Sequence, residues 1–318
     1  MNPLGGAQSG DMLRVLRPGA TFHIGPPDHV KGPLVYLDYD QIELDAAYDQ
    51  NLYAPLRAKF DARVDAAAKV VHARLKPLRI AYGPTGIEQL DIYRVSRPRA
   101  PIFVNIHGGA WLRGCAFDCA PCAEPFVERG AIFIAPDFIA IDEAGGDLSV
   151  MVDQVRRAVA WIWKNAATFG GDADRLYVGG QSSGGHLSGV VQMTDWTPYG
   201  LPPNPIKAGM CMSGTYDLEP VMLSKRGEYF NITKAALEGL SPQRHIDRLQ
   251  HPLVVTYGSE ETPEFKRQGR EFAAAIRAAG KPVELIEAVG YDHFEMCESL
   301  AHPHSPNGRA ALAMMELS

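Results

Sequence analysis

The stretch Leu176-Tyr177-Val178-Gly179-Gly180-Gln181-Ser182-Ser183-Gly184-Gly185-His186 runs from a short apolar segment, through a glycine-rich turn, into an apolar helical pattern. It contains Gly-x-Ser-x-Gly in a strand–turn–helix setting. A serine on so sharp a turn exposes its hydroxyl, and side chains at the flanking positions would collide with the strand and the helix. Of the two adjacent serines only Ser182 has glycine two positions away on both sides, which makes it the nucleophile candidate. The plainer reading of the same residues is a turn that only permits close packing. The rest of the chain decides between them.

Outward from this turn, short apolar runs alternate with helical patterns. The strands expected are Leu90–Val95, Ile102–Ile106, Ala131–Ala135, Leu176–Gly179, Ala208–Met212, Leu253–Tyr257 and Val283–Glu287. Helices are expected over Asp147–Phe169, Ser183–Met193 and Glu264–Ala279. Strands separated by helical segments indicate βαβ units and a mostly parallel central sheet flanked by helices. Residues 215–250 break the rhythm and read as a small helical insertion over one sheet end. Upstream, Leu44, Tyr48, Leu52, Leu56, Phe60 and Val64 recur every four positions, so residues 41–76 read as a helical extension interrupted near Pro55. Residues 1–40 carry no sustained period and read as an extended arm. Residues 41–318 are expected to form a single α/β domain.

Ile102–Ile106 runs straight into His107-Gly108-Gly109-Ala110-Trp111. When a nucleophile adds to a carbonyl, negative charge develops on the oxygen, and preorganised backbone N–H groups stabilise it. Gly108 and Gly109 leave their amides unobstructed, and Ser183, just after the nucleophile, offers a third. His107 reads as an organiser of this loop. A serine hydroxyl also needs a base, and a neutral imidazole suits pH 7. Of ten histidines, His293 stands in the loop Gly290-Tyr291-Asp292-His293-Phe294 that follows the last strand. His186 lies on the nucleophile's own helix and reads as a packing residue, and His302 and His304 as solvated surface. For the carboxylate that orients the base, the stretch Gly258-Ser259-Glu260-Glu261-Thr262-Pro263-Glu264-Phe265 follows another strand. Glu261 is the choice, Glu260 the competitor, and Glu264 reads as part of the first helical turn.

With these motifs in place the chain resembles the α/β-hydrolase superfamily in its hormone-sensitive-lipase-like branch, and within it arylformamidases (kynurenine formamidases) and related carboxylesterases. The resemblance rests on His107–Trp111, Gly180–His186, Gly258–Phe265 with Arg267-Gln268, Asp91-Ile92-Tyr93 and His293-Phe294. It spans about residues 40–300. The chain order Ser182, Glu261, His293 is that of α/β-hydrolases. Ser183 stands where alanine is common in such elbows, and Glu261 where aspartate is usual. The resemblance implies an α/β-hydrolase fold and a cofactor-independent serine hydrolase acting on a small-molecule ester or amide through an acyl-enzyme. Arylformamidase-like chemistry comes first, a general carboxylesterase or aryl carbamate/amide hydrolase second, and a non-catalytic ligand-binding member third. Trp111, Tyr216, Tyr291 and Phe294 are expected to line the pocket, from their loop positions.

Composition bounds these readings. With 318 residues, 46% hydrophobic, the chain is long enough for one large α/β domain. Thirty-one basic against 37 acidic residues give a net charge of −6, which lacks the positive field of a general nucleic-acid or anionic-membrane binder. No apolar run reaches membrane-span length, and the first residues lack a signal-peptide pattern, so a cytoplasmic location is expected. A homodimer is left open. Five cysteines form no disulfide framework, and Cys115, Cys119 and Cys122 lack an adjacent fourth ligand, so thiols and not a metal site are expected. No dinucleotide or phosphate loop is present in a suitable context, and no cofactor is expected.

Overall fold

Eight strands form one sheet, and the chain enters it from two helices, α1 (Gln41–Tyr48) and α2 (Arg57–Leu75). The structure is a computed structural model that describes residue 26 and residues 28–317. Most of the expected arm over residues 1–40 therefore lies outside the described residues. Asp40 starts α1 with a reciprocal capping box to Glu43. The break expected near Pro55 is the irregular segment between α1 and α2, which holds a short 3-10 turn at Gln50–Leu52.

The strands are β1 (Leu78–Ala81), β2 (Gln89–Tyr93), β3 (Ala100–Ile106), β4 (Ile132–Pro136), β5 (Gly171–Gln181), β6 (Ala208–Met212), β7 (Leu253–Gly258) and β8 (Val283–Ala288). Their order is β1-β2-β4-β3-β5-β6-β7-β8. β1 pairs antiparallel with β2, and β2 with β4, while β4, β3 and β5 through β8 run parallel. This is the α/β-hydrolase fold. Between strands lie α3 (Ala120–Glu128), α4 (Leu148–Asn165), α5 (Ser183–Gln192), α6 (Glu219–Leu223), α7 (Lys234–Gly239) and α8 (Pro263–Ala278), and α9 (Glu295–Leu300) and α10 (Pro306–Met314) close the chain. Residues 215–250 hold α6, α7 and short 3-10 turns.

Helices on both faces bury the central strands, and every residue of β3, β4, β6 and β7 is buried. Period-two alternation divides β3 between two cores. Ile102, Val104 and Ile106 join the core that contains α4, and Phe103 joins the other, stacked on Phe126 at 4.6 Å. β1 has no counterpart among the expected strands. It is a four-residue edge strand, mostly exposed, whose pattern carries little hydrophobic signal. Among the described residues no helix is long and apolar enough to cross a membrane.

A parallel sheet brings the carboxyl ends of its strands to one edge, and the loops there shape a site. The segments after β3, β5, β7 and β8 all open on that edge and carry, in turn, the His107–Trp111 loop, Ser182, Glu261 and His293.

Candidate active site

The turn between β5 and α5 places Ser182 at φ 60°, ψ −123°, a left-handed conformation that costs a non-glycine residue about 1–3 kcal/mol. Surrounding structure holds it there. The Ser182 N–H donates to the Met212 carbonyl of β6 at 2.9 Å, and neighbouring backbone leaves no room to relax. A Cβ on Gly184 would collide with the Ile106 carbonyl oxygen and stand 2.5 Å from that of His107. The glycine two residues after the serine is thus required by close approach of α5 to the end of β3. Ser182 is buried apart from its cavity face, at 8% exposure.

His293 comes from the loop after β8. Its Nε2 lies 2.8 Å from Ser182 Oγ, and its Nδ1 lies 2.8 Å from Glu261 Oε1. With Nδ1–H donating to the carboxylate, Nε2 accepts the serine hydroxyl proton. Glu261 is fully buried, and its N–H donates to the Gly258 carbonyl at 3.2 Å, a tight turn that points its side chain inward. Glu260, one residue earlier, is exposed and meets Ser259. Glu264 is buried in a bidentate ion pair with Arg267 at 2.7 and 2.8 Å. Phe265 and Phe294 set their rings edge-on to the imidazole at 4.8 and 5.5 Å, which limits its tilt.

The loop after β3 turns sharply, with Gly109 at φ 118° and Ala110 and Trp111 also at positive φ. Among the described residues, the N–H groups of Gly108, Gly109 and Ser183 make no backbone hydrogen bond, so all three remain free to donate. Ser183 begins α5, whose partial positive N-terminal charge adds to the field at this point. His107 donates from Nδ1 to the Gly108 carbonyl at 2.9 Å and stacks flat on Phe138 at 4.1 Å. Burial pushes its pKa below the usual value, as suits an uncharged loop organiser. His186 is wholly buried between Trp111 Nε1 (3.2 Å) and the Leu240 carbonyl (2.8 Å), and burial lowers its pKa to about 4.

A cavity of about 410 Å³ opens over Ser182. Of the four aromatics expected around it, only Phe294 lines it. The other three need correction. Trp111 is buried in the core, with Phe230 edge-on at 5.3 Å and its indole N–H on His186. Tyr216 is buried and stacked on Phe272 at 4.2 Å. Tyr291 stays outside the cavity wall, and its carbonyl accepts the Glu260 N–H at 3.1 Å. Each follows a strand end, where large rings also fill the gap between sheet and loops.

Part of the cavity wall is instead α2, which presents Arg57, Phe60, Asp61, Val64 and Asp65. Their spacing is one helical face, and the four-residue recurrence of Leu56, Phe60 and Val64 was its visible trace. Gln50 ties the segment before α2 to the acid loop. Its amide donates to Thr262 Oγ1 and accepts the Thr262 N–H, both at 3.1 Å. Arg226 clamps the Tyr48 carbonyl at 3.1 and 2.7 Å and also reaches the cavity. No motif in the sequence marked these contacts.

Cys119 and Cys297 line the cavity. Burial pushes the Cys115 and Cys119 thiols up, and a hydrogen bond to Cys297 does the same for Cys122. A raised pKa disfavours the thiolate that metal ligation needs. Among the described residues no cluster of three or more His, Cys, Asp or Glu side chains is arranged to hold a metal ion.

Comparison with known proteins agrees with this architecture. The family described as BD-FAE matches residues 90–198, from β2 through α5 and just beyond. The kynurenine formamidase of Danio rerio is 29% identical over 272 residues, covering 81% of this chain and 90% of its own. Esterase LipQ of Mycobacterium tuberculosis is 29% identical over 229 residues, covering 63% of this chain and 52% of its own. Among solved structures, a thioesterase candidate from Silicibacter sp. tm1040 superimposes with a TM-score of 0.74 at 24% identity, covering 86% of this chain and 99% of its own. The chain has the α/β-hydrolase fold, and the proteins it is similar to include formamidases and esterases.

Proposed function

We propose that the protein is a serine hydrolase that cleaves a small amide or carboxylic ester through an acyl-enzyme, with arylformamidase-like preference. The observation that carries this reading is the continuous chain Glu261–His293–Ser182, two contacts of 2.8 Å each, ending at a cavity beside three free backbone amides. As Ser182 Oγ attacks the carbonyl carbon, His293 Nε2 takes its proton and Glu261 stabilises the resulting imidazolium. The oxyanion is held by the N–H groups of Gly108, Gly109 and Ser183. Collapse of the intermediate breaks the C–N or C–O bond, and His293 returns the proton to the departing amine or alcohol. Water, deprotonated by His293, then releases the acid and regenerates Ser182.

The formamidase preference is supported by the likeness to kynurenine formamidase over most of both chains. The cavity fits it too. Phe60, Val64 and Phe294 offer an apolar surface for an aryl leaving group, while a formyl group needs little acyl space. The second reading, a general carboxylesterase, is favoured by the esterase relative.

The test is turnover of N-formylkynurenine against short and long p-nitrophenyl esters, with Ser182→Ala as control and organophosphonate labelling as the site probe. A strong formyl-amide preference that vanishes in Ser182→Ala supports the proposal. Fast ester cleavage with negligible formamidase activity moves the substrate to the second reading. Turnover that survives Ser182→Ala, or phosphonate that labels another residue, overturns the serine mechanism.

A further inference from the structure

Gln181, the last residue of β5, lies immediately before Ser182, and the residue is buried at the cavity edge, at 9% exposure. Its amide Nε2–H donates to the backbone carbonyl of His293 at 2.8 Å. Its other side faces the loop after β3, since a Cβ on Gly108 would stand 3.0 Å from Gln181 Oε1 and 2.8 Å from its main-chain oxygen. One side chain therefore spans three segments, the serine turn, the glycine loop and the histidine loop.

The histidine loop has other anchors, but they face the acid loop. The Gly290 N–H donates to Ser259 Oγ at 2.9 Å, the Glu260 N–H to the Tyr291 carbonyl at 3.1 Å, and Nδ1–H of His293 to Glu261. Among the described residues, the hydrogen bonds that join this loop to the serine turn are the Gln181 bond and the Ser182–His293 bond itself. The second cannot last through a reaction cycle. Once Ser182 Oγ carries an acyl group it has no proton to donate, and His293 must still stand in register to activate water. Only the Gln181 bond survives that step.

Resting on the serine-hydrolase reading above, we infer that Gln181 is a positioning residue, whose amide N–H holds the His293 main chain against the acylated serine so that the imidazole stays aligned for deacylation. It touches no reacting atom. A donor role and a space-filling role separate cleanly. Gln181→Met keeps length and approximate volume but removes the donor, and Gln181→Asn keeps the amide but draws it back by one methylene.

The experiment measures kcat and KM for p-nitrophenyl acetate, with active sites counted by phosphonate titration and the p-nitrophenol burst followed by stopped flow. A 1 Å misplacement of a reacting group can cost about 10²-fold. Both variants are expected to lose about 10- to 100-fold in kcat per titrated site, with the loss in deacylation and the burst retained. KM is not expected to rise, because the contact is not with substrate. A merely structural role would lower the number of titratable sites and leave kcat per site unchanged. Wild-type kcat per titrated site in Gln181→Met overturns the inference alone. If wild-type Ser182 takes no phosphonate label, the serine-hydrolase reading falls, and this inference with it.

Discussion

Replacing Gly184 by alanine tests whether the serine turn and the glycine loop are held in register by direct backbone contact. The added Cβ would collide with the Ile106 carbonyl oxygen and stand 2.5 Å from that of His107, against an ordinary C···O separation of about 3.3 Å. Both obstacles are backbone atoms at the end of a central strand, so no rotamer change relieves them. The start of α5 and the end of β3 must part by about 1 Å, which carries the Ser183 N–H away from those of Gly108 and Gly109. Overpacking of this kind costs about 1–3 kcal/mol. In a domain of this size that lowers Tm by roughly 2–5 °C. Loss of register should cut kcat about 10²-fold, the scale of losing one oxyanion donor. Gly239→Ala is the control, since a Cβ there meets nothing within 4 Å. Thermal unfolding and turnover per phosphonate-titrated site are the assays. Wild-type kcat in Gly184→Ala would refute the argument that this contact sets the donor geometry, whatever the change in Tm.

Other consequences are equally direct. Glu261→Gln is expected to lower kcat by about 10²–10⁴ while Glu260→Gln, at an exposed position, leaves it within about twofold; equal losses in the two variants would reverse the assignment of the acid. Val64→Ala, which trims the α2 wall without touching Ser182, should raise KM for an aryl substrate several-fold with kcat nearly unchanged, as steady-state kinetics would reveal. Burial holds the pKa of both His186 and His251 at about 4, below the usual 6.5. Below pH 6.5 the unfolded chain binds protons that the native state refuses, so stability is full above that pH and declines as pH falls toward 4. Urea unfolding at pH 7 and pH 5 checks this, and a midpoint unchanged between the two would contradict it.

Much of the architecture was legible in the chain. The central strands β3, β4, β6 and β7 read as short apolar runs, because strands buried on both faces need apolar side chains at nearly every position, while the edge strand β8 shows itself by apolar residues interrupted by the exposed Glu284 and Glu287. The residues 180–186 announced a serine turn because glycine is required where backbone passes against backbone. β1 is not legible in the same way, because an exposed edge strand bears no hydrophobic signature. α3, α9 and α10 are short helices of six to nine residues, too short for the chain to show their periodicity.

The site divides along the same line. Local sequence determined which residues could react, since a nucleophile turn, a glycine loop and a histidine or acid after a strand each leave a short-range pattern. Tertiary structure decided which of them meet. The tight turn from Gly258 to Glu261, and not any difference in side-chain type, buries Glu261 toward His293 and turns Glu260 outward. Likewise the loop positions of Trp111, Tyr216 and Tyr291 suggest the cavity, yet an aromatic beside a strand end serves a core as readily as a pocket, and only packing separates the two. The face of α2 that walls the cavity lies more than a hundred residues before Ser182. Its place there depends on contacts such as Gln50 with Thr262 and Arg226 with Tyr48, between residues about 180 to 210 positions apart, and a linear pattern carries no record of such distances.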